Sequence, residues 1–341
     1  MRQRTIPLPW AAGYGLARTL LALGTLGTLA FSDAATLFRE VATVGQYPLC
    51  QGVTAAGAFC LVGPDQYDTM RWACCLVLAV AASGWRPRLT ALPHAYVAFS
   101  VFTGISIPDG GDQITWVLAL LIALVSLGDD RRWHWQSSSP VHHEGVGGSG
   151  RRGVLALVGV SALVVARVQV AILYFQACVA KLPHAEWADG TALYYWTNNH
   201  AFGAPDWLRP LTGAVVAHPV GVAAMTWLPL VVELSLAASL LMPQKVRWRL
   251  LPFGVLLHLT IAITMGLWSF AFAMWAGLLL LLAPLGHDPD ITGLLRRAFR
   301  RAGPPVESAG EPAMQKKTED QDEEDAETEA GNTPARARVP A

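Results

Sequence analysis

Apolar runs near bilayer length recur along the chain, at about 12–31, 68–85, 90–106, 113–128, 154–180, 213–242, 250–267 and 269–285. A helix needs about 20 apolar residues to cross a bilayer, so these runs predict eight membrane helices. The 213–242 run is long for one crossing. His218-Pro219 stands near its start, which predicts a short interfacial or re-entrant piece there. The last two runs are joined tightly. The pattern therefore predicts an all-α, polytopic helical bundle over 1–285, followed by a cytoplasmic tail over 286–341.

Orientation follows from Lys and Arg in the short connections. Arg2 and Arg4 precede the first run, Arg86 and Arg88 separate the second and third, and Arg131, Arg132, Arg151 and Arg152 separate the fourth and fifth. Lys245, Arg247 and Arg249 separate the sixth and seventh, and Arg296, Arg297, Arg300 and Arg301 follow the eighth. Every second connection is basic, which predicts cytoplasmic termini and a multi-pass plasma-membrane protein. The connections 32–67, 107–112 and 181–212 then face outward. The basic start Met1 to Pro9 has no small-residue cleavage site after it, so the first run reads as a retained helix.

Composition agrees: the chain is 53% hydrophobic and 15% charged, and its 13 tryptophans fit interfacial anchoring among membrane lipids. The formal net charge of zero hides a division. Residues 303–341 hold ten acids and four bases, a net of −6, which leaves +6 on residues 1–302. The tail lacks apolar residues to bury and reads as a disordered, solvated segment. The 129–153 connection, with its SSSP and GVGGSG, reads as flexible, and His142-His143-Glu144 within it lacks a third ligand at fixed spacing for a metal.

The densest chemistry lies in ARVQVAILYFQACVAKLPHAEWADGTALYYW, residues 166–196. Charges inside or at the edge of hydrocarbon are costly and usually mark a site. Lys181 ends this apolar run on the predicted outer side, with His184, Glu186 and Asp189 following at once. A lone lysine there would snorkel to the headgroups. Desolvated by apolar walls it becomes a base, whereas a nearby carboxylate keeps it charged. Asp109 and Asp112 of IPDGGDQ fall on the same face. They read first as a turn and helix cap, and as partners of Lys181 if Asp112 faces it. Arg167 and Gln169 lie inside the run, Glu233 in the sixth and His258 in the seventh. Counted at 1.5 Å per residue, Glu233 and His258 share a depth of about 12–14 Å from their cytoplasmic ends, and Arg167 is roughly 20 Å in. A pair between Arg167 and Glu233 with His258 close by is the expectation, structural or functional. His200 and the aromatics 194–196 read as solvated and interfacial. Cys50 and Cys60 share the first outward connection, where an oxidising exterior permits a disulfide that sequence alone leaves open. Cys74, Cys75 and Cys178 read as apolar packers. The chain has no Walker loop, GxSxG, HExxH, CxxC or dinucleotide fingerprint, and nothing in it points to nucleic acid or a metal.

YFQACVAKLPHAEWADGTALYYW resembles the signature of the horizontally transferred transmembrane domain, shared with vitamin K-dependent gamma-carboxylases. DGGDQITWVLALLIALVSLGDDRRWHW and HLTIAITMGLWSFAFAMWA resemble two further segments of that domain, in order and spacing. The compact size is most similar to the sporulation-delaying protein B branch. That resemblance implies a bacterial membrane protein that matures a secreted peptide toxin with a small partner protein. In the carboxylases a lysine before a Leu and upstream of an acid-Trp-x-acid-Gly run acts as base toward a reduced quinone. Lys181 in AKLPHAEWADG matches it, although Ala180 stands where the carboxylases have a second lysine. His258 matches the late-helix histidine. The carboxylases carry a large lumenal domain where this chain carries the acidic tail, an expectation against glutamate carboxylation. Three readings follow: a maturation factor at the outer face, a non-catalytic binding or immunity protein, or a quinol-dependent enzyme.

Overall fold

The computed structural model describes residues 8–136, 150–200 and 202–284. The acidic tail, His142-His143-Glu144 and the basic residues before position 8 lie outside the described residues. The helices are α1 (Ala12–Phe31), α2 (Ala34–Leu37), α3 (Tyr67–Ser83), α4 (Pro87–Gly104), α5 (Gly110–Ser126), α6 (Arg151–Val179), α7 (Ala185–Ala188), α8 (Ala192–Thr197), α9 (Arg209–Val216), α10 (Pro219–Ala238), α11 (Gln244–Met265) and α12 (Trp268–Leu282). Each apolar run forms a helix. Four are long and apolar enough to cross a membrane: α1, α6, α10 with its 3-10 extension to Leu241, and α11. The 213–242 run divides at Ala217-His218, and Pro219 begins α10, where a missing N–H costs nothing.

Helix α12 is the hub, packed against α1, α5, α6 and α11. Small residues let backbones approach: Gly24 of α1 lies against Ser269 and Phe272, and Gly277 of α12 against Val170 of α6. The C-terminal carbonyls of α12, which no intrahelical donor reaches, are taken by side chains of its neighbours. Arg167 donates to the carbonyls of Leu280 (3.0 Å) and Ala283, Arg247 to Leu281 (3.2 Å) and Gln244 to Leu282 (2.6 Å). The two guanidinium groups also complement the negative end of the helix dipole.

Two connections are tied down. Segment 32–66 carries the Cys50–Cys60 disulfide and packs on α4, where Ala58 N–H donates to Ser100 Oγ (3.0 Å) and Tyr96 O–H to the Ala56 carbonyl (2.9 Å). At the other end of the bundle, residues 127–136 fold back on α1 and the α3–α4 turn. His134 N–H donates to the Gly84 carbonyl (3.0 Å), and its ring sits against Gly15 and Gly84. Arg18 of α1, fully buried, reaches His134 Nδ1 (3.4 Å) and Thr90 Oγ1 (2.5 Å). Burial first, then the Arg18 and Arg131 charges, pushes the His134 imidazole down to about 3, so it is neutral at ordinary pH.

Candidate functional site

Lys181 follows α6 by two residues and turns its side chain back along the helix. Its ammonium donates to Glu233 Oε1 of α10 at 2.5 Å. The Lys181 side chain is 26% exposed and that of Glu233 is 9% exposed. The Trp187 ring of α7 lies 5.2 Å from the same ammonium, which makes a cation–π contact. A bound turn explains this placement: Lys181 N–H bonds the Cys178 carbonyl and His184 N–H the Lys181 carbonyl, so α7 folds directly over the end of α6.

A second polar pair lies one to two turns away. Tyr174 stands seven residues before Lys181 on α6, two turns along the same face. Its hydroxyl is 2.8 Å from His258 Nε2 of α11, and both residues are buried. Phe270 of α12 covers the imidazole at 5.5 Å between ring centroids. Among the described residues, Glu233 Oε2 and His258 Nδ1 are buried with no hydrogen-bond partner.

Helix register explains which expected contacts form. Cys178 Sγ lies 3.6 Å from the Leu230 carbonyl, so antiparallel α6 and α10 are level there. Glu233, three residues further inward on α10, is level with about residue 175, between Lys181 and Tyr174. Arg167 is eight residues, or about 12 Å, further inward. The expected Arg167–Glu233 pair therefore does not form; Arg167 caps α12 and Glu233 takes Lys181. The depth count failed because the first turns of α6 run beside connections: Gly159 meets Pro9, and Leu155 meets Gly128. Counting from position 154, the start of the apolar run, thus placed Arg167 too deep. Gln169 is half-buried and belongs to neither pair.

The acidic neighbours are less convergent. Asp109 and Asp112 form a reciprocal capping box at the start of α5, each side chain accepting from the other's backbone N–H at 2.9 and 3.0 Å. Gly111 packs on Phe270, so that ring separates the box from His258. His184 and Asp189 are exposed, Glu186 is half-buried, and none of the three forms an ion pair among the described residues. Sequence reasoning missed Tyr174, and it noted Trp187 beside Lys181 without assigning it the contact with the ammonium. The two-turn spacing of Tyr174 and Lys181 was the available signal. It also passed over Arg18, which carries the same sign as Arg167, a charge within an apolar run.

A membrane helical bundle whose late helices hold a half-buried lysine on a buried carboxylate, beside a buried tyrosine–histidine pair, defines the class. The HTTM domain model matches residues 155–284, which contain all four residues of that cluster. The chain is 35% identical over 297 residues to the uncharacterized protein YitO of Bacillus subtilis (strain 168), covering 86% of this chain and 92% of that protein. It is 32% identical over 282 residues to the sporulation-delaying protein SdpB of the same organism, covering 82% of this chain and 84% of that protein. The chain belongs to this SdpB-like family of HTTM-domain membrane proteins. No solved structure matches it.

Proposed function

We propose that this protein matures a secreted peptide at the outer face of the plasma membrane, with Lys181 as the acid–base residue. The relation to SdpB, a sporulation-delaying protein, supports the peptide, as does the outward position the charge pattern gives Lys181. In this reading eight helices cross the membrane, both termini are cytoplasmic, and segment 32–66 is outside. The Cys50–Cys60 disulfide within that segment fits an oxidising exterior.

The observation that carries the proposal is the Lys181–Glu233 contact of 2.5 Å at the edge of an apolar bundle. Water would favour the ion pair, whereas low dielectric weakens that preference. A proton then moves between amine and carboxylate at small cost, and the amine left behind is a base facing the outer side. His184, Glu186 and Asp189 stand at the mouth of this site as proton-exchanging groups. Asp109 and Asp112 hold the start of α5 against Phe270, the ring that covers His258. A small partner protein would complete the substrate surface, and a reduced quinone is the cofactor that the lysine's family position suggests.

The test is mass spectrometry of the mature peptide from cells carrying the wild-type chain or Lys181→Ala, at matched membrane levels. The variant is expected to leave the precursor mass unchanged. Full maturation by Lys181→Ala would end the base proposal and favour a binding or immunity role. Dependence on an added quinol would identify the quinol-dependent enzyme.

A further inference from the structure

We propose that Arg167 and Arg247 bind the phosphate of an anionic phospholipid where the last turn of α12 ends. This site is separate from Lys181 and depends on no reading of the maturation chemistry.

The two guanidinium groups sit on one turn of one helix end. Arg167 of α6 holds the Leu280 and Ala283 carbonyls through Nε and Nη2, and Arg247 of α11 holds the Leu281 carbonyl through Nη2. Two full positive charges meet a helix terminus worth about half a negative charge, so roughly +1.5 is left over. Neither arginine forms an ion pair with a carboxylate among the described residues. Like charges this close repel, and the more so where the dielectric is low. An anion beside them offsets that repulsion, and donors for one are to hand. Nη1 of each arginine makes no bond among the described residues, and Arg247 Nε is buried without a partner. Both side chains are only half-buried, so the surrounding medium reaches them. Guanidinium groups bind phosphate through charge-assisted hydrogen bonds.

The surroundings favour a lipid over a soluble anion. The cleft beside Arg167 measures about 30 Å³, room for roughly one or two waters, so it encloses no phosphorylated metabolite. Helix α11 is the least buried of the four long helices. Its exposed residues Val246, Arg249, Phe253 and Leu256 recur at three- and four-residue spacing and make one stripe. That stripe has a cation near its start, beside Arg247, and is apolar along the rest of its length. A phospholipid has the same polarity: its headgroup meets Arg247 and Arg249, and an acyl chain runs along Phe253 and Leu256. Basic pockets between membrane helices hold anionic headgroups in this way.

The test compares melting midpoints of the full-length protein in detergent. It is run without lipid, with phosphatidylglycerol, with phosphatidylcholine of the same chains, and with glycerol 3-phosphate. Phosphatidylglycerol is expected to raise the wild-type midpoint, and the other two to leave it in place. Arg247→Gln keeps an N–H donor for the Leu281 carbonyl but carries no charge. It should need about tenfold more phosphatidylglycerol for half of the shift, the loss of one charged hydrogen bond. Native mass spectrometry of the wild type needs no variant: phosphatidylglycerol should stay bound under activation that strips phosphatidylcholine. Equal shifts or equal retention with phosphatidylcholine overturn a charge-selected site. An equal shift with glycerol 3-phosphate overturns the lipid in favour of a free phosphate. A half-point in Arg247→Gln equal to that of wild type overturns the assignment to this arginine pair.

Discussion

Glu233 decides the energetics at the residue scale. Lys181 keeps some solvent contact while Glu233 is buried, so losing one partner costs less than the roughly 3–5 kcal/mol of a fully buried pair, whereas replacing both with apolar residues is often neutral. Glu233→Ala should therefore lower the unfolding temperature in detergent markedly, and Lys181→Met with Glu233→Leu should restore most of it; equal melting of the single and double variants would contradict a buried pair. His134 makes a separate prediction. Its folded value of about 3 lies below the ordinary 6.5, so the unfolded chain binds a proton first as pH falls. Its contribution is whole above about 6.5 and is lost progressively toward pH 3, and His134→Gln should flatten that part of the melting profile. Lys181 was legible in the sequence because a lone cation closing an apolar run is conspicuous. Tyr174 was not, because an aromatic within an apolar run looks like every other packing residue until its hydroxyl partner is known.

At the scale of elements, segments 32–66 and 127–136 are bonded to the helices they lie on. Gly84 ends α3 at φ 85°, and a Cβ there would stand 2.5 Å from the His134 ring. Gly84→Ala should destabilise the protein by about 1–3 kcal/mol and release residues 131–136 to protease. The Cys50–Cys60 bond spans a separation of ten residues, and a loop of that size is worth about 2–3 kcal/mol. Reduction should lower the melting temperature of wild type and leave Cys50→Ser, Cys60→Ser unaffected. The helices themselves were legible from apolar runs, since burial in hydrocarbon or against neighbours demands them. Their stagger was not. Where α6 begins relative to α12 depends on which residues pack beside its first turns, and those partners come from distant parts of the chain.

At the scale of the whole molecule, the charge pattern predicts a topology that labelling can check. Cysteine placed at the exposed Ile107 should react with an impermeant maleimide in intact cells, and cysteine at Gln136 only after permeabilisation. The reverse pattern would invert the bundle and turn Lys181 inward. The native thiols of Cys74, Cys75 and Cys178 are buried and leave little background. One architectural detail reaches further. The last turn of α12 is completed by Arg167, Gln244 and Arg247, residues that precede it in the chain. Among the described residues, the donors that close it all lie upstream. A stop codon just past Pro284 should thus yield a bundle that inserts and melts like the parent, freeing evolution to lengthen, recharge or discard the sequel without touching the machinery upstream.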